Sequence, residues 1–496
     1  MSFLKYAAAL AAAAAVPLAA ATYYVDAREG DDAAGGSSVA APWKSLEKVN
    51  AARFRPGDRI LLRRGSVWRG QLAPRTSGIA IGSYGEGPRP RIDGAGLVED
   101  AVRLYNIDHI ELRGLEITNR GESPAIRRGV HVFADNFGVA RDIVIAGLYI
   151  HDVNGTNERK DNGGIIFSTN GDKVPSRFEG LTIERNIVWK VDRSGIAGQS
   201  YHWRRTLWNP SLRVVIRDNL VNDAGGDGIV PWATDGVLVE HNIAWNCNRR
   251  SGEYNAGIWP WSADNSLFQL NEAAFTKGTR DGEGFDSDYN SRNTVFQYNY
   301  SHDNDGGFML ICTPGKRDPR ENVGNTGTVI RYNISRNDRT RIFHLTGGVE
   351  HTVVEDNAIY SGPKLDVQLL LASDWDGWAD GAVFRRNRFY IEGTARYGHQ
   401  IARHPDGTYD MAPGFEPARN IVFEGNRYAG SHIGRPADPA AVEEPPGGVT
   451  PPGAGEPQFD PNFPERFDEF LAAHRAWMVR MFEREFGGPL ALDRPR

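Results

Sequence analysis

The segments LTIERN (181–186), VVIRDN (214–219), VLVEHN (237–242), LFQLN (267–271), VFQYN (295–299), TVIRYN (328–333), TVVEDN (352–357), AVFRRN (382–387) and IVFEGN (421–426) repeat one pattern. Each is a short run of β-branched or aromatic residues, one or two polar residues, then Asn. Successive Asn residues lie 33, 23, 29, 28, 34, 24, 30 and 39 positions apart. The runs lack a helical period, and their composition suits strands. Fixed strands at irregular intervals point to a solenoid whose loops vary while its coils repeat. Asn tolerates left-handed backbone angles and hydrogen-bonds its neighbours in turns, so the nine are expected to close their strands at one corner and stack into a ladder. One coil cannot bury its own apolar face, whereas a stack of them makes a continuous core.

A second series opens another strand in each coil: Gly195-Ile196, Gly228-Ile229, Gly257-Ile258, Gly284-Phe285 and Gly307-Phe308. Earlier coils without the Asn run from Ile107 to Ile117 and from Ile143 to Ile150. The expected fold is all-β, a parallel β-helix over residues 60–434. Residues 22–59 precede it with a strand and a small capping helix, since Leu46 and Val49 have helical spacing between Ser45 and Ala52. Residues 435–457 are a Pro/Gly-rich linker. Over 458–496, Phe467, Phe470, Leu471, Trp477, Met478 and Met481 form the apolar stripe of a helical tail that docks on the solenoid.

At the other end, Lys5, an Ala-rich apolar run from Tyr6 to Val16, and Ala19 to Ala21 have the form of an export signal cleaved after Ala21. The apolar run is too short to span a bilayer, so no membrane insertion is expected, and the protein is expected to be secreted or periplasmic. The net charge of -6 removes the basic surface that nucleic acid requires, while 12 Trp and 17 Tyr suit a carbohydrate binder. A monomer is expected. Cys247 and Cys312 form neither a disulfide framework nor a zinc motif, and both are expected to act as small hydrophobes.

The densest run of chemically able side chains is EYNAGIWPWSADN (253–265), DGEGFDSDYN (281–290) and YSHDNDGG (300–307). If Ile258, Phe285 and Phe308 point inward, then Trp259 and Trp261, Asp286 and Asp288, and Met309 and Ile311 point out on adjacent coils. Two outward carboxyls beside two indoles are what glycoside cleavage needs, one to donate a proton and one to attack or to activate water. Asp286 and Asp288 are therefore the candidate catalytic pair, with Glu283 and Asp305 in support. Trp259 and Trp261 are candidate sugar platforms, with burial under a loop as the competing role; Trp232 extends their row. Asp227 and Glu253 are further candidates for the same groove, and Asp264 is an alternative carboxylate with Glu253. His302 either relays protons or stacks within a turn. Asp281-Gly282 has the composition of a turn. The same acidic cluster could instead hold calcium.

The stretches YYVDAREGDD (23–32) and PWKSLEKVNAARFRPGDRILLRRGSVWRG (42–70), with Asp58 and Gly65, together with the Asn coils, resemble the right-handed parallel β-helix superfamily of pectate lyases, polygalacturonases and related glycosidases. The G-H-G and R-x-K elements of polygalacturonases are not evident. The resemblance implies an enzyme cleaving a polysaccharide or oligosaccharide: a glycoside hydrolase needing no cofactor, or else a calcium-assisted lyase using Lys277, Arg280 or Lys160. A noncatalytic carbohydrate-binding solenoid is the third class.

Overall fold

The nine Asn residues form one unbroken column. In the computed structural model, which describes residues 20–445 and 451–492, all nine are fully buried. The Nδ2 of each donates to Oδ1 of the next at 2.9–3.0 Å. Asn426 ends the ladder on Asp438 at 2.9 Å. Each amide also reaches back to a carbonyl of the coil before it, as Asn186, Asn219 and Asn242 do to Ile145, Ile183 and Ile216.

The left-handed backbone expected at Asn lies one residue earlier. Arg185, Asp218, His241, Leu270, Tyr298, Tyr332, Asp356 and Arg386 have φ of 52–58°, and Gly425 has 68°. That residue turns the corner so that the Asn amide can lie along the stack. Left-handed geometry costs a side-chain-bearing residue about 1–2 kcal/mol. The amide's hydrogen bonds, about 1 kcal/mol each, offset it.

The coils present three parallel faces. The first runs through Arg59–Arg63, Ile110–Arg113, Arg177–Glu184 and Val329–Arg331 to Arg419–Glu424, and the second through Val67–Arg69, Tyr149–Val153, Leu220–Ala224 and Tyr300–His302 to Ala358–Ser361. The third includes Asp100–Tyr105, Arg128–Asp135, Gly163–Asn170, Ser194–Ser200 and Ile229–Val230, then Glu283–Ser287, Gly307–Thr313, Arg341–Gly347 and Val367–Ser373. Inward Val, Ile, Leu and Phe side chains from all three faces form one elongated core. The fold is a right-handed parallel β-helix. Its first strand, Thr22–Val25, pairs in parallel with Arg59–Arg63.

Two helices flank the stack. Helix α1 (Leu46–Ala51) is capped by Ser45 Oγ, which accepts from the Lys48 amide, and buries Leu46 and Val49. Helix α2 (Phe467–Phe486) lies on the second face, burying Phe467, Phe470 and Leu471 against Tyr149, Ile187, Leu220 and Ile243. Further along, Trp477, Met478 and Met481 meet Tyr298, Tyr300 and Tyr360. The export-signal expectation covers residues 1–21, of which 1–19 lie outside the described residues. No described helix is long and apolar enough to cross a membrane.

Candidate active site

On the third face, bridges join Ile229 to Ile258 and Ile258 to Phe285, with all three side chains fully buried. Their neighbours one and three positions on are thereby stacked outward, and Asp286 and Asp288 face the same side as Trp259 and Trp261. The next coil departs from the expectation. Phe285 pairs with Met309, not Phe308, and Asp286 with Leu310. Met309 and Ile311 belong to the core, while Leu310 and Cys312 face outward. The diglycine Gly306-Gly307 absorbs the one-residue offset: Gly307 has φ of 142°, and a Cβ there would lie 1.5 Å from the Arg341 carbonyl.

The outward residues line a cleft of about 430 Å³ containing Asp281, Asp286, Asp288, Tyr289, Cys312 and Trp261. Oxygens of Asp286 and Asp288 and the Cys312 sulfur all lie within 4.8 Å of one another. The Cys312 thiol donates to Asp288 Oδ1 at 3.0 Å, and the Tyr289 amide donates to the same oxygen at 2.6 Å. Among the described residues, none of the three Asp carboxylates has a salt-bridge partner. Burial raises all three. Asp288 rises only to about 6, because the thiol and the Tyr289 amide favour its ionised form. Asp286 is held well above the usual carboxylate range by burial, then by Asp288, Asp281 and Glu283. Asp281 is raised likewise, by burial and then by Glu283. Calcium takes six to eight oxygen ligands, and a thiol among the donors makes this set a poor match for it.

Glu283 lies behind the cleft. It is wholly buried, 3.1 Å from Arg341 Nη2 and 4.0 Å from His344 Nδ1. Arg341, also wholly buried, donates to the carbonyls of Thr279, Asp281 and Gly407. Glu283 thus supports the cation that fixes both the Asp281 segment and the tip of a hairpin. That hairpin, the antiparallel pairing of Arg388–Arg403 with Tyr409–Pro413, brings Arg403 and Tyr409 to the cleft. His344 lines the cleft too, kept neutral by burial and then by Arg341, with Nε2 bonded to Ser373 and Thr346.

Among the aromatics, Trp261 stacks on Trp232 at 3.8 Å and meets the edge of Tyr289. Trp259 is 4% exposed, covered by Lys160 at 4.7 Å from its ring, and donates its indole N–H to Asp227. Burial under a loop, the competing role, describes Trp259, although part of it still borders the cleft. Asp227 is fully buried and paired with Lys160 and Arg193 at 2.8 and 3.1 Å.

Other expected residues lie apart from the cleft. Asp305 occupies a corner between faces and pairs with Lys277 and Arg339. His302 belongs to the second face, stacked on Tyr300 at 4.5 Å and bonded to Asp303 and Glu272. Glu253 is exposed, though the adjacent Tyr254 lines the cleft. Asp264 lies on the first face, bound by Arg205 and Arg292. Of the three cations considered for a lyase, Lys160 and Arg280 line the cleft and Lys277 does not. Two cleft residues lie outside the sequence-based candidates: Asp281, which does sit in a bend before Gly282, and Cys312, buried as a small hydrophobe would be; the shared coil with Asp286 is the available signal for the first.

No family model matches the chain. A curated lacto-N-biosidase from Bifidobacterium longum subsp. longum is 30% identical over an alignment covering 68% of this chain. The chain spans about a quarter of that relative's length, 27%. Crystal structures of a GH136 lacto-N-biosidase from Eubacterium ramulus, as selenomethionine derivative and as native protein, superpose with TM-scores of 0.62 and 0.61 at 26% identity. Each match covers 81% of this chain and 68% of that one.

Proposed function

We propose that this chain is an exported glycoside hydrolase that cleaves an oligosaccharide in the third-face cleft, with Asp288 as the ionised carboxylate and a protonated neighbour as the acid. One observation carries the reading: three carboxyl groups share the cleft with no salt bridge to the cations on its rim, and Asp288 alone accepts two short hydrogen bonds that favour its charge. Groups whose surroundings push their pKa values apart are suited to opposite roles in one reaction. The lacto-N-biosidase names of the relatives supply the substrate class, an oligosaccharide, and the reaction needs no cofactor.

Two protonated carboxyls can donate to the leaving oxygen. Asp286 is 4% exposed, whereas Asp281 is partly open to the cleft. Access favours Asp281 as donor, with Asp286 sharing a proton with Asp288. We assign Asp288 as the nucleophile of a retaining reaction rather than as the base for an intervening water. Asp288 then attacks the anomeric carbon, the glycosidic oxygen leaves with the donor's proton, and the deprotonated donor activates the water that releases the sugar.

The test is product analysis on neutral oligosaccharides, including ones bearing lacto-N-biose. New reducing ends without an ultraviolet-absorbing unsaturated sugar, undiminished by chelator, are expected. Asp288→Asn should lower turnover by at least about a thousandfold with the fold intact. Asp281→Asn should spare substrates with an activated leaving group, which need no proton. An unsaturated product, or near wild-type activity in Asp288→Asn, overturns the proposal.

A further inference from the structure

The third face carries a second depression, of about 490 Å³, built from coils N-terminal to the cleft. Its floor is a column in register across successive coils. Phe133 lies opposite Ser168, and Ser168 opposite Gln199. Counting on from the pairing of Ala197 with Val230, Gln199 lies opposite Trp232, which pairs with Trp261. Trp261 and Lys160 border both depressions. Coils rise about 4.8 Å, so the column from Phe133 to Trp261 runs roughly 19 Å, room for several sugar rings.

Aromatic surfaces stand at both ends. Phe133 stacks on His131 at 5.1 Å and 10°, and Trp232 on Trp261 at 3.8 Å and 24°. Between them, Ser168 Oγ is bonded to His131 Nε2, and the Gln199 amide nitrogen has no partner. The charges at the rim are already matched. Arg128 pairs with Asp100 and Asp161, Arg159 with Asp161, and Lys160 with Asp227. A hydroxyl-rich uncharged ring fits this lining: its C–H faces lie on aromatic surfaces, and a hydroxyl can accept from the free amide. A buried amide left unpaired is unfavourable, and a ligand oxygen would remove that cost.

We propose that this depression is a second carbohydrate subsite, binding uncharged sugar residues of the same oligosaccharide at a distance from the bond that is cut. The proposal rests on the glycosidase reading for the identity of the chain that crosses both depressions.

The test compares oligosaccharides of increasing length with a short aryl glycoside that fills the cleft alone, using wild type, Gln199→Leu and Phe133→Leu. Wild-type kcat/KM should rise at least tenfold with length. Each variant should lose most of that rise through KM and keep wild-type rates on the aryl glycoside. A wild type indifferent to length, or variants impaired equally on short and long substrates, overturns the second subsite and leaves the glycosidase reading intact. If no glycan is hydrolysed, calorimetric titration with the same series decides: tighter binding with length that Gln199→Leu abolishes supports the subsite, and binding indifferent to length overturns it.

Discussion

Asp264 and Asp286 are 3% and 4% exposed and lie on successive coils, yet they are opposite in chemistry. Burial acts first on both, raising the cost of a charge. At Asp264, two guanidiniums reverse it: Arg205 and Arg292 each bond the carboxylate, which stays below the ordinary carboxylate range. At Asp286 there is no such cation, and neighbouring carboxylates push it further up. The first arrangement makes a charge structural. The second keeps a proton on a cleft carboxyl, a state useful in a reaction and costly to the fold.

The largest expected effect tests this contrast directly. Asp264→Asn removes the anion between two arginines and should destabilise the protein by about 3–5 kcal/mol in denaturant unfolding. Asp286→Asn should leave stability unchanged or raise it, because no ion pair is lost and the cost of holding a proton on the carboxyl is removed. Equal losses in both variants would erase the distinction.

The two indoles of one coil provide a second contrast. Trp259 is buried, bonded to Asp227 and covered by Lys160, so Trp259→Ala should cost about 3–5 kcal/mol of stability. Trp261 stands between the two depressions with its ring partly open, so Trp261→Ala should weaken oligosaccharide binding by about 1–2 kcal/mol and shift unfolding little. A reversed pattern would make Trp259 the platform.

A smaller effect appears with pH. Since Asp288 must be ionised to attack, kcat/KM should fall about tenfold per unit below pH 6. A second fall at higher pH should follow loss of the donor's proton. Asp281 and Asp286, raised well above 3.8, also destabilise the folded state as pH climbs past their unfolded values. Asp286→Asn should reduce that alkaline loss of stability, measured as the shift in urea midpoint between acidic and neutral pH.

What the sequence makes legible is whatever the coil repeats. Asn186 to Asn426 announce the ladder, and the Gly-Ile pairs place Ile229, Ile258 and Phe285 in true register, which sends Asp286 and Asp288 outward. The prediction slips by one residue at Met309, where Gly306-Gly307 looks like its predecessor Gly284 but forms a different bend. Long-range partners leave no local trace. Arg205 reaches Asp264 from 59 positions away, Lys160 reaches Asp227 from 67, and His474 reaches Glu272 from 202. Loops and the tail set these contacts, so the roles of Asp227 and His302 were beyond reading from spacing. Asp281-Gly282 is a bend, as Asp-Gly chemistry leads one to expect, but the place of Asp281 in the cleft is not legible for a related reason: its carbonyl is held by Arg341, 60 positions on.

The gentlest prediction contrasts the third face with the second. His344 in the cleft wall is held neutral, whereas His302 beneath the tail is raised to about 9, burial being overcome by its bonds to Asp303 and Glu272. Glu272 also accepts from His474 of α2 at 2.7 Å, and Glu456, 3.8 Å from His302, is raised to about 8 by burial and by Glu272. For His302 the folded pKa exceeds the ordinary 6.5, so its contribution is complete below 6.5 and is lost as pH rises through 9. Glu456 acts in the same direction, its proton becoming costly to keep as pH climbs from 4.5 towards 8. Both therefore loosen the tail on the alkaline side. Because α2 can open locally, global unfolding should change little. Hydrogen exchange in Phe467–Phe486 should accelerate between pH 6.5 and 9 beyond its intrinsic pH dependence, and His302→Gln should remove most of that excess. Protection that is flat across this range, or an excess unchanged in His302→Gln, would show that the apolar contacts of Trp477, Met478 and Phe482 hold the tail without help from the buried charges.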